Sequence, residues 1–544
     1  MPFPLPRVLA CALALALSST AVGADRTSRT DAPGFAFEEA SIAQLQERMT
    51  EGRLSSRALV DAYLRRIAEI DDAGPTLNAV IELNPDARRE ADARDAERRA
   101  GRVRGPLHGI PVLLKDNIDA VPMVNSAGSL ALAAHRPKQD AFLVERLREA
   151  GAVILGKTNL SEWANFRSTR GTSGWSARGG QTRNPYALDR NPCGSSSGSG
   201  VAVSANLAAV AVGTETDGSI LCPAAVNGVV GIKPTVGLIS RSGIIPISAS
   251  QDTAGPMARS VADAAALLAA MTAADPADPA TGAAPSARPD YLAALDPQAL
   301  QGARIGVLRK ATGYHPGLDA EFERALATLR AAGAELVDVE IATDGTWRQA
   351  EYAVLLHEFR DGIARYLAGS GAPVASLEAL IAFNRTQAAA EMPWFGQEIL
   401  EMAQAAGPID APAYLEARAT ARRLAGAEGI DATLTANRLV ALVAPTTGPA
   451  WVTDPVNGDH FAGAGYGAAA VAGTPSITVP MGQVHGLPVG LVLLGPAWSE
   501  ARLIGFAHAF EQRQRARTAP QFLPTIAAPA AAAPADGAAS PQGR

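Results

Sequence analysis

The stretch from Asn191 to Thr235, NPCGSSSGSGVAVSANLAAVAVGTETDGSILCPAAVNGVVGIKPT, decides how the rest of the chain is read. It opens on a glycine/serine loop and continues as an Ala/Val-rich segment that reads as a buried helix. It closes on a second small-residue loop, TETDGS. Glycine lets the backbone turn tightly and lets its N–H groups approach a ligand closely. Two serine-bearing loops joined by one helix would hold two hydroxyls in a fixed relation. Apolar sequence resumes on both sides, which argues against a flexible linker. A loop cradling phosphate at a helix N-terminus stays open at this point.

Outward from this stretch, short apolar runs alternate with helical patterns. GIPVLL (Gly109–Leu114), AVIL (Ala152–Leu155), RIGVL (Arg304–Leu308), Glu335–Val339, LVALVAP (Leu439–Pro445), Ser476–Pro480 and Val489–Leu494 read as strands. Phe142–Ala150 and Leu318–Ala332 read as helices, and Ser41–Ile70 as two helices broken at Gly52. This rhythm predicts a largely parallel sheet covered on both faces. Residues 346–426 are mainly helical and suit a cap beside a site. Residues 275–288, rich in Pro, Ala and Asp, read as a surface loop. The Ala/Pro-rich tail, 525–544, lacks large apolar residues and is predicted to be disordered.

The N-terminus has a basic residue, Arg7, an apolar run from Val8 to Leu17, and small residues through Ala24. That pattern predicts a signal peptide over residues 1–24, cleaved after Gly23 or Ala24, and an exported protein, periplasmic or secreted. About ten apolar residues are too few to span a bilayer. The mature chain is therefore expected to be free of membrane, with residues 25–524 forming a single domain. Removing the signal leaves Cys193 and Cys222. Export permits a disulfide between them, but two cysteines make no framework, and both are expected as buried free thiols. The 544 residues are 47% hydrophobic and 19% charged with a net charge of −6, so nothing suggests a nucleic-acid partner.

No G-x-S-x-G nucleophile elbow is present. GSSSGSG has neither the lysine of a phosphate-binding loop nor an acidic metal ligand beside it. The seven histidines show no metal-ligand spacing, so neither metal nor cofactor is expected. Serines, a lysine and glycines remain. A serine hydroxyl is a poor nucleophile until a base takes its proton, and a buried lysine can serve once burial makes it neutral. Lys115 suits this role because it ends a buried strand, where sites in open α/β sheets gather. An ion pair between Lys115 and Asp116 is the equally open structural alternative.

GIPVLLKDNID, PCGSSSGSG, GTETDGSILCPAAVNGVVGIKPTVGL and QDTAGPMARSVADAA together resemble the amidase signature family, in the family's order and across about Phe35 to Pro520. The resemblance implies an α/β/α sandwich with one large mixed, mainly parallel sheet. It also implies a Ser–cis-Ser–Lys triad. Ser219 of TETDGS is then the nucleophile, Ser195 of PCGSSSG the bridging serine in a cis peptide, and Lys115 the base. The two serines lie 24 residues apart, as in the family. Thr216, Asp217, Gly218 and Ser219 would supply backbone N–H groups to an oxyanion, while Ser196, Ser197 and Ser199 would bond local backbone. The common family pattern has two glycines before the nucleophile, where this chain has Asp217 and Gly218. Asp217 is expected to hydrogen-bond into its own loop; the alternative is a part in selecting substrate.

The GTETDGS form and the exported chain most resemble bacterial peptide amidases, which release ammonia from C-terminally amidated peptides. The resemblance thus implies a monomeric hydrolase acting through an acyl-enzyme on peptide or small-molecule amides. Aryl or fatty acyl amides are the alternative substrates within the family. A tRNA-directed amidotransferase component fits poorly with export. From another class, a cell-envelope binding protein could use the Gly/Ser loops as an anion nest, but the set of Lys115, Ser195 and Ser219 argues against it. Residues 346–426 and Trp163–Gln181 are expected to line the pocket.

Overall fold

The computed structural model describes residues 35–526. The predicted signal peptide, and the predicted tail from residue 527 onward, lie outside the described residues. Phe35–Glu38 form a short turn closed by a 2.9 Å bond from the Glu38 N–H to the Phe35 carbonyl. Residues 39–526 form one compact body. No helix among the described residues is long and apolar enough to cross a membrane.

Thirteen strands are present among the described residues: β1 (Val80–Leu83), β2 (Pro111–Lys115), β3 (Val153–Thr158), β4 (Trp175–Ser176), β5 (Gly180–Gln181), β6 (Val210–Glu215), β7 (Val230–Lys233), β8 (Thr253–Ala258), β9 (Arg304–Leu308), β10 (Glu335–Val339), β11 (Ala441–Pro445), β12 (Ser476–Val484) and β13 (Leu487–Leu494). β4 and β5 pair with each other, and the rest form one mixed sheet in the order β1-β3-β2-β6-β8-β7-β12-β13-β11-β9-β10. Parallel pairing is concentrated in two trios, β3–β2–β6 and β11–β9–β10, and antiparallel pairs join them. The parallel trios are where strands alternate with helices. The antiparallel centre follows from tight connections such as the two-residue turn His485–Gly486 between β12 and β13. Both turn residues have positive φ (50° and 81°), as the favoured hairpin turn requires.

Helices cover both faces. Those at Ser197–Ser204 and Leu221–Val226 pack on one another and on the central strands; those at Phe142–Glu149, Val261–Met271, Pro316–Ala331 and Glu500–Gln514 form a separate layer. The Ala/Val-rich segment of the opening stretch departs from its single-helix reading. Its first part is the Ser197–Ser204 helix, which gives way at Asn206 (φ 59°), and its second part is the central strand β6. Both halves are fully buried, and a run apolar on every side has no periodicity to separate helix from strand. The predicted cap is helical and extends further than expected. Its helices run from Arg348–Ser370 through Pro412–Arg422 into a π-helical segment, Arg423–Asp431, and end at Ala436.

Candidate active site

Because β3, β2 and β6 are parallel, their C-terminal ends coincide, which brings Thr158, Lys115 and Thr214 to one edge of the sheet. Lys115 has no exposed surface. Its Nζ donates to the Ser195 Oγ (2.7 Å), to the Thr214 Oγ1 (2.9 Å) and to the Thr214 carbonyl (3.1 Å). The Asn117 Nδ2 donates to the same Thr214 Oγ1 at 3.0 Å, which fixes that acceptor in place. Burial lowers the Lys115 ammonium from 10.5 to about 7, against the pull of Asp252 and Glu215. The ion pair with Asp116 is not formed. Asp116 faces Lys157 (3.3 Å) and Arg178 (3.2 Å) and accepts from the Ser126 hydroxyl.

Ser195 follows a cis Gly194–Ser195 peptide bond, as the resemblance implies. Its carbonyl accepts from the Ser161 N–H (3.1 Å), and the next N–H, of Ser196, donates to the Ser219 carbonyl (3.1 Å). The two serine loops are thus joined backbone to backbone. The neighbouring hydroxyls serve the architecture. Ser196 Oγ donates to the Thr214 carbonyl (3.0 Å), Ser197 Oγ to the Cys193 carbonyl (2.6 Å) and Ser199 Oγ to the Val212 carbonyl (3.0 Å). Gly198 is needed because a Cβ there would lie 2.3 Å from the Ala79 carbonyl oxygen. The free-thiol reading of the cysteines is corrected. Cys193 and Cys222 form a disulfide, with Cα atoms 6.0 Å apart, that ties the loop before Ser195 to the helix after Ser219. The pairing was hidden in the sequence because the loops meet only after β6 carries the chain back across the sheet.

Ser219 sits on a loop organised around the buried Glu215. The Glu215 carboxylate accepts from the N–H groups of Ile220 (2.8 Å) and Leu221 (3.0 Å) and so holds the turn from β6 into the Leu221–Val226 helix. Gly218 has φ 79°, and a Cβ there would lie 2.3 Å from the Tyr466 ring. The loop's Thr216 hydroxyl donates to Asp252 (2.6 Å), whose carboxylate also accepts from the N–H groups of Ile247 and Ser248. Among the described residues, no backbone carbonyl accepts from the N–H groups of Thr216, Asp217, Gly218 or Ser219. The N–H groups of Thr216, Asp217 and Ser219 remain available to an oxygen in the cavity, while that of Gly218 leans on the Glu215 carboxylate.

Of the three residues, only Ser219 reaches a cavity of about 830 Å³; it is 7% exposed, while Lys115 and Ser195 lie behind it. The arrangement sets a buried amine, Lys115, against a buried hydroxyl, Ser195, whose loop is bonded through the Ser196 N–H to the carbonyl of the cavity-facing Ser219. The cavity takes Ala164, Asn165, Phe166 and Ser173 from the predicted 163–181 segment, but only Trp347, Arg348, Glu351 and Leu355 from the predicted cap. Outside the two serine loops, the rest of its wall comes from Ile247 and from segments 308–314, 339–344 and 451–468, which sequence reasoning missed. These residues share no motif, and only the hydrophobic ends of β9 and β10 hinted at them.

Asp217 overturns its expected structural role. Its side chain is exposed to the cavity and makes no hydrogen bond among the described residues. Although water reaches it, it lies deep among protein atoms, and this burial, reinforced by Glu351 and Glu215, raises its carboxyl well above the ordinary range.

The chain matches the Amidase family over residues 58–504. It is 41% identical over 506 residues to a probable amidase of Arabidopsis thaliana, covering 90% of this chain and 93% of the relative. It is 36% identical over 496 residues to a glutamyl-tRNA(Gln) amidotransferase subunit of Halorhodospira halophila, covering 88% and 97%. The crystal structure of the native peptide amidase from Stenotrophomonas maltophilia superposes with a TM-score of 0.87 at 61% identity, covering 90% of this chain and 99% of that one.

Proposed function

This chain belongs to the amidase family and is a hydrolase of amide C–N bonds; on that premise we propose that it releases ammonia from C-terminally amidated peptides. The similarity to the Stenotrophomonas peptide amidase supports the substrate. The mechanism rests on one observation, the buried 2.7 Å contact between Lys115 and Ser195, whose loop is bonded backbone to backbone to that of the cavity-facing Ser219. Neutral Lys115 takes the Ser195 proton as Ser195 takes that of Ser219, and the Ser219 Oγ adds to the amide carbonyl. The negative oxygen of the tetrahedral adduct is held by N–H groups of the Thr216–Ser219 loop, a contribution of about 3–4 kcal/mol for one such donor in a comparable hydrolase. The proton then returns along the same path to the departing nitrogen, which leaves as ammonia. Water attacks the resulting ester, is deprotonated by the same relay, and the peptide leaves with a free carboxylate.

The Cys193–Cys222 disulfide supports the reading of an exported protein, since such bonds persist in oxidising compartments. N-terminal sequencing of the mature protein tests that reading, with a start at Ala24 or Asp25 expected. An ammonia-release assay over amidated peptides, aryl amides and fatty acyl amides tests the function, with Ser219→Ala and Lys115→Ala as controls. Turnover of aryl but not peptide amides overturns the substrate, and activity surviving in Ser219→Ala overturns the nucleophile.

A further inference from the structure

The loop that carries Ser219 holds a carboxylate with nothing to do in the fold. Its neighbours are all engaged. Glu215 accepts two backbone N–H groups, Asp252 holds Thr216, and Glu351 accepts from the Gln251 Nε2 at 3.0 Å. Across the cavity Asp459 accepts from Ser173, Asn191 and Trp451, and Glu340 pairs with Lys310 (2.6 Å). Asp217 has no such partner among the described residues and faces the cavity.

We propose that Asp217 selects the acyl side of the substrate, by accepting a hydrogen bond from the nitrogen on the carbon next to the scissile carbonyl. This inference rests on the amide-hydrolase reading above and names the chemical feature that would make a peptide amide preferred. With the carbonyl oxygen on the N–H groups of residues 216–219, the carbonyl carbon lies beside the Ser219 Oγ, one short side chain from Asp217. Only two polar groups of a peptide amide come that close, the leaving NH₂ and the N–H on the α-carbon. The leaving nitrogen must turn toward Ser195 and Lys115 to collect its proton, and those residues lie behind the cavity wall with no exposed surface. Asp217 lines the cavity together with Glu351 and Arg348, and the cavity is the space left for the acyl group. The acceptor there therefore meets the α-nitrogen. A fatty acyl amide or a simple aryl carboxamide carries no N–H there and would leave Asp217 unpaired beneath the bound substrate, which is the kind of mismatch that discriminates strongly. A carboxyl kept neutral still offers a carbonyl oxygen, so asparagine is the conservative replacement.

The test uses the full-length mature protein and one pair of amides of equal size, N-acetylphenylalaninamide and its methylene isostere 2-benzyl-4-oxopentanamide, in which CH₂ replaces the N–H. Wild type is expected to favour the N–H amide by about ten- to hundredfold in kcat/KM. That ratio should fall to within about threefold of unity in Asp217→Ala and stay within about threefold of its wild-type value in Asp217→Asn. A ratio needs no comparison of folded fractions, and the wild-type measurement alone is independent of any variant. Equal turnover of the two amides by wild type, or a ratio unchanged in Asp217→Ala, overturns the role of Asp217 and leaves the hydrolase reading standing. Absence of ammonia from every amide overturns both.

Discussion

Raising the pH through neutrality should switch the enzyme on through Lys115. A lysine that titrates at 10.5 is neutral in about one molecule in 3,000 at pH 7, whereas one lowered to about 7 is neutral in about half. Burial therefore supplies about three orders of magnitude in the population able to accept the Ser195 proton. The expected profile of kcat/KM climbs about tenfold per pH unit below about pH 7 and levels above it. Asp252, raised to about 6 by burial, could imitate this limb, and substitution separates the two. Its negative charge favours protonated Lys115, so Asp252→Asn moves a lysine limb to lower pH but abolishes an aspartate limb. Thr214→Val acts in the same direction by removing an acceptor from the ammonium. A hydrogen bond to a charged donor exceeds a neutral one by about 1 kcal/mol, or about 0.7 of a pH unit. Stability–pH linkage gives an independent check. Between about pH 7 and 10.5 the unfolded chain holds a proton on Lys115 that the folded chain has lost, so the Lys115 contribution to stability rises with pH across that window. Below pH 7 the buried charge costs up to about 5 kcal/mol. Lys115→Met should therefore be inactive yet more resistant to urea than wild type at pH 6.5, by about 2–4 kcal/mol after its lost hydrogen bonds are allowed for. A kcat/KM flat from pH 5.5 to 8.5, or a limb that neither substitution moves, refutes the reasoning.

Ser219→Ala and Ser195→Ala should each lower kcat by at least about a thousandfold while binding of a substrate amide, followed by calorimetry, persists. Ser196→Ala, which loses its bonds to the Thr214 peptide, should cost about 1–3 kcal/mol in urea melts and reduce kcat/KM less than tenfold. Replacing both Cys193 and Cys222 by serine opens a link across 29 residues and should destabilise the fold by about 3–4 kcal/mol, read from the urea midpoint. Gly218→Ala should lower kcat at least about a hundredfold, because the loop must shift to free the Cβ from Tyr466. Adding Tyr466→Ala should restore part of that loss.

What could be read from the sequence divides along a physical line. Lys115 was legible because a continuously apolar run, GIPVLL, ends in a charge, and a strand buried on both faces leaves such a residue at its C-terminal end. The strands β9 and β10 were legible to the residue because RIGVL is a short apolar run and ELVDV returns to extended sequence after the intervening helix, completing a strand–helix–strand unit. The strand β6 was not. Its alanines and valines continue those of the preceding helix, and only the left-handed Asn206 separates them. The disulfide escaped for a related reason, since whether two thiols meet depends on the path of β6 between them.

The same division explains why chemistry was more legible than specificity. A proton relay demands particular residue types at particular chain positions, so it leaves a motif. A cavity wall demands only a shape, and Tyr314, Trp347, Trp451 and Phe461 supply it from distant segments that the fold alone unites. Asp217 sits where the two kinds of demand meet. It lies inside the motif, which invited a structural reading, yet its carboxylate faces the wall. Its backbone N–H is one of the groups free to bind the carbonyl oxygen, and any side chain would leave that N–H in place. Nothing in the loop's own hydrogen bonding calls for an acid there. The reason for one lies in what the cavity is shaped to hold, and a carboxylate next to the reacting carbonyl suits an acyl group that brings an N–H to meet it.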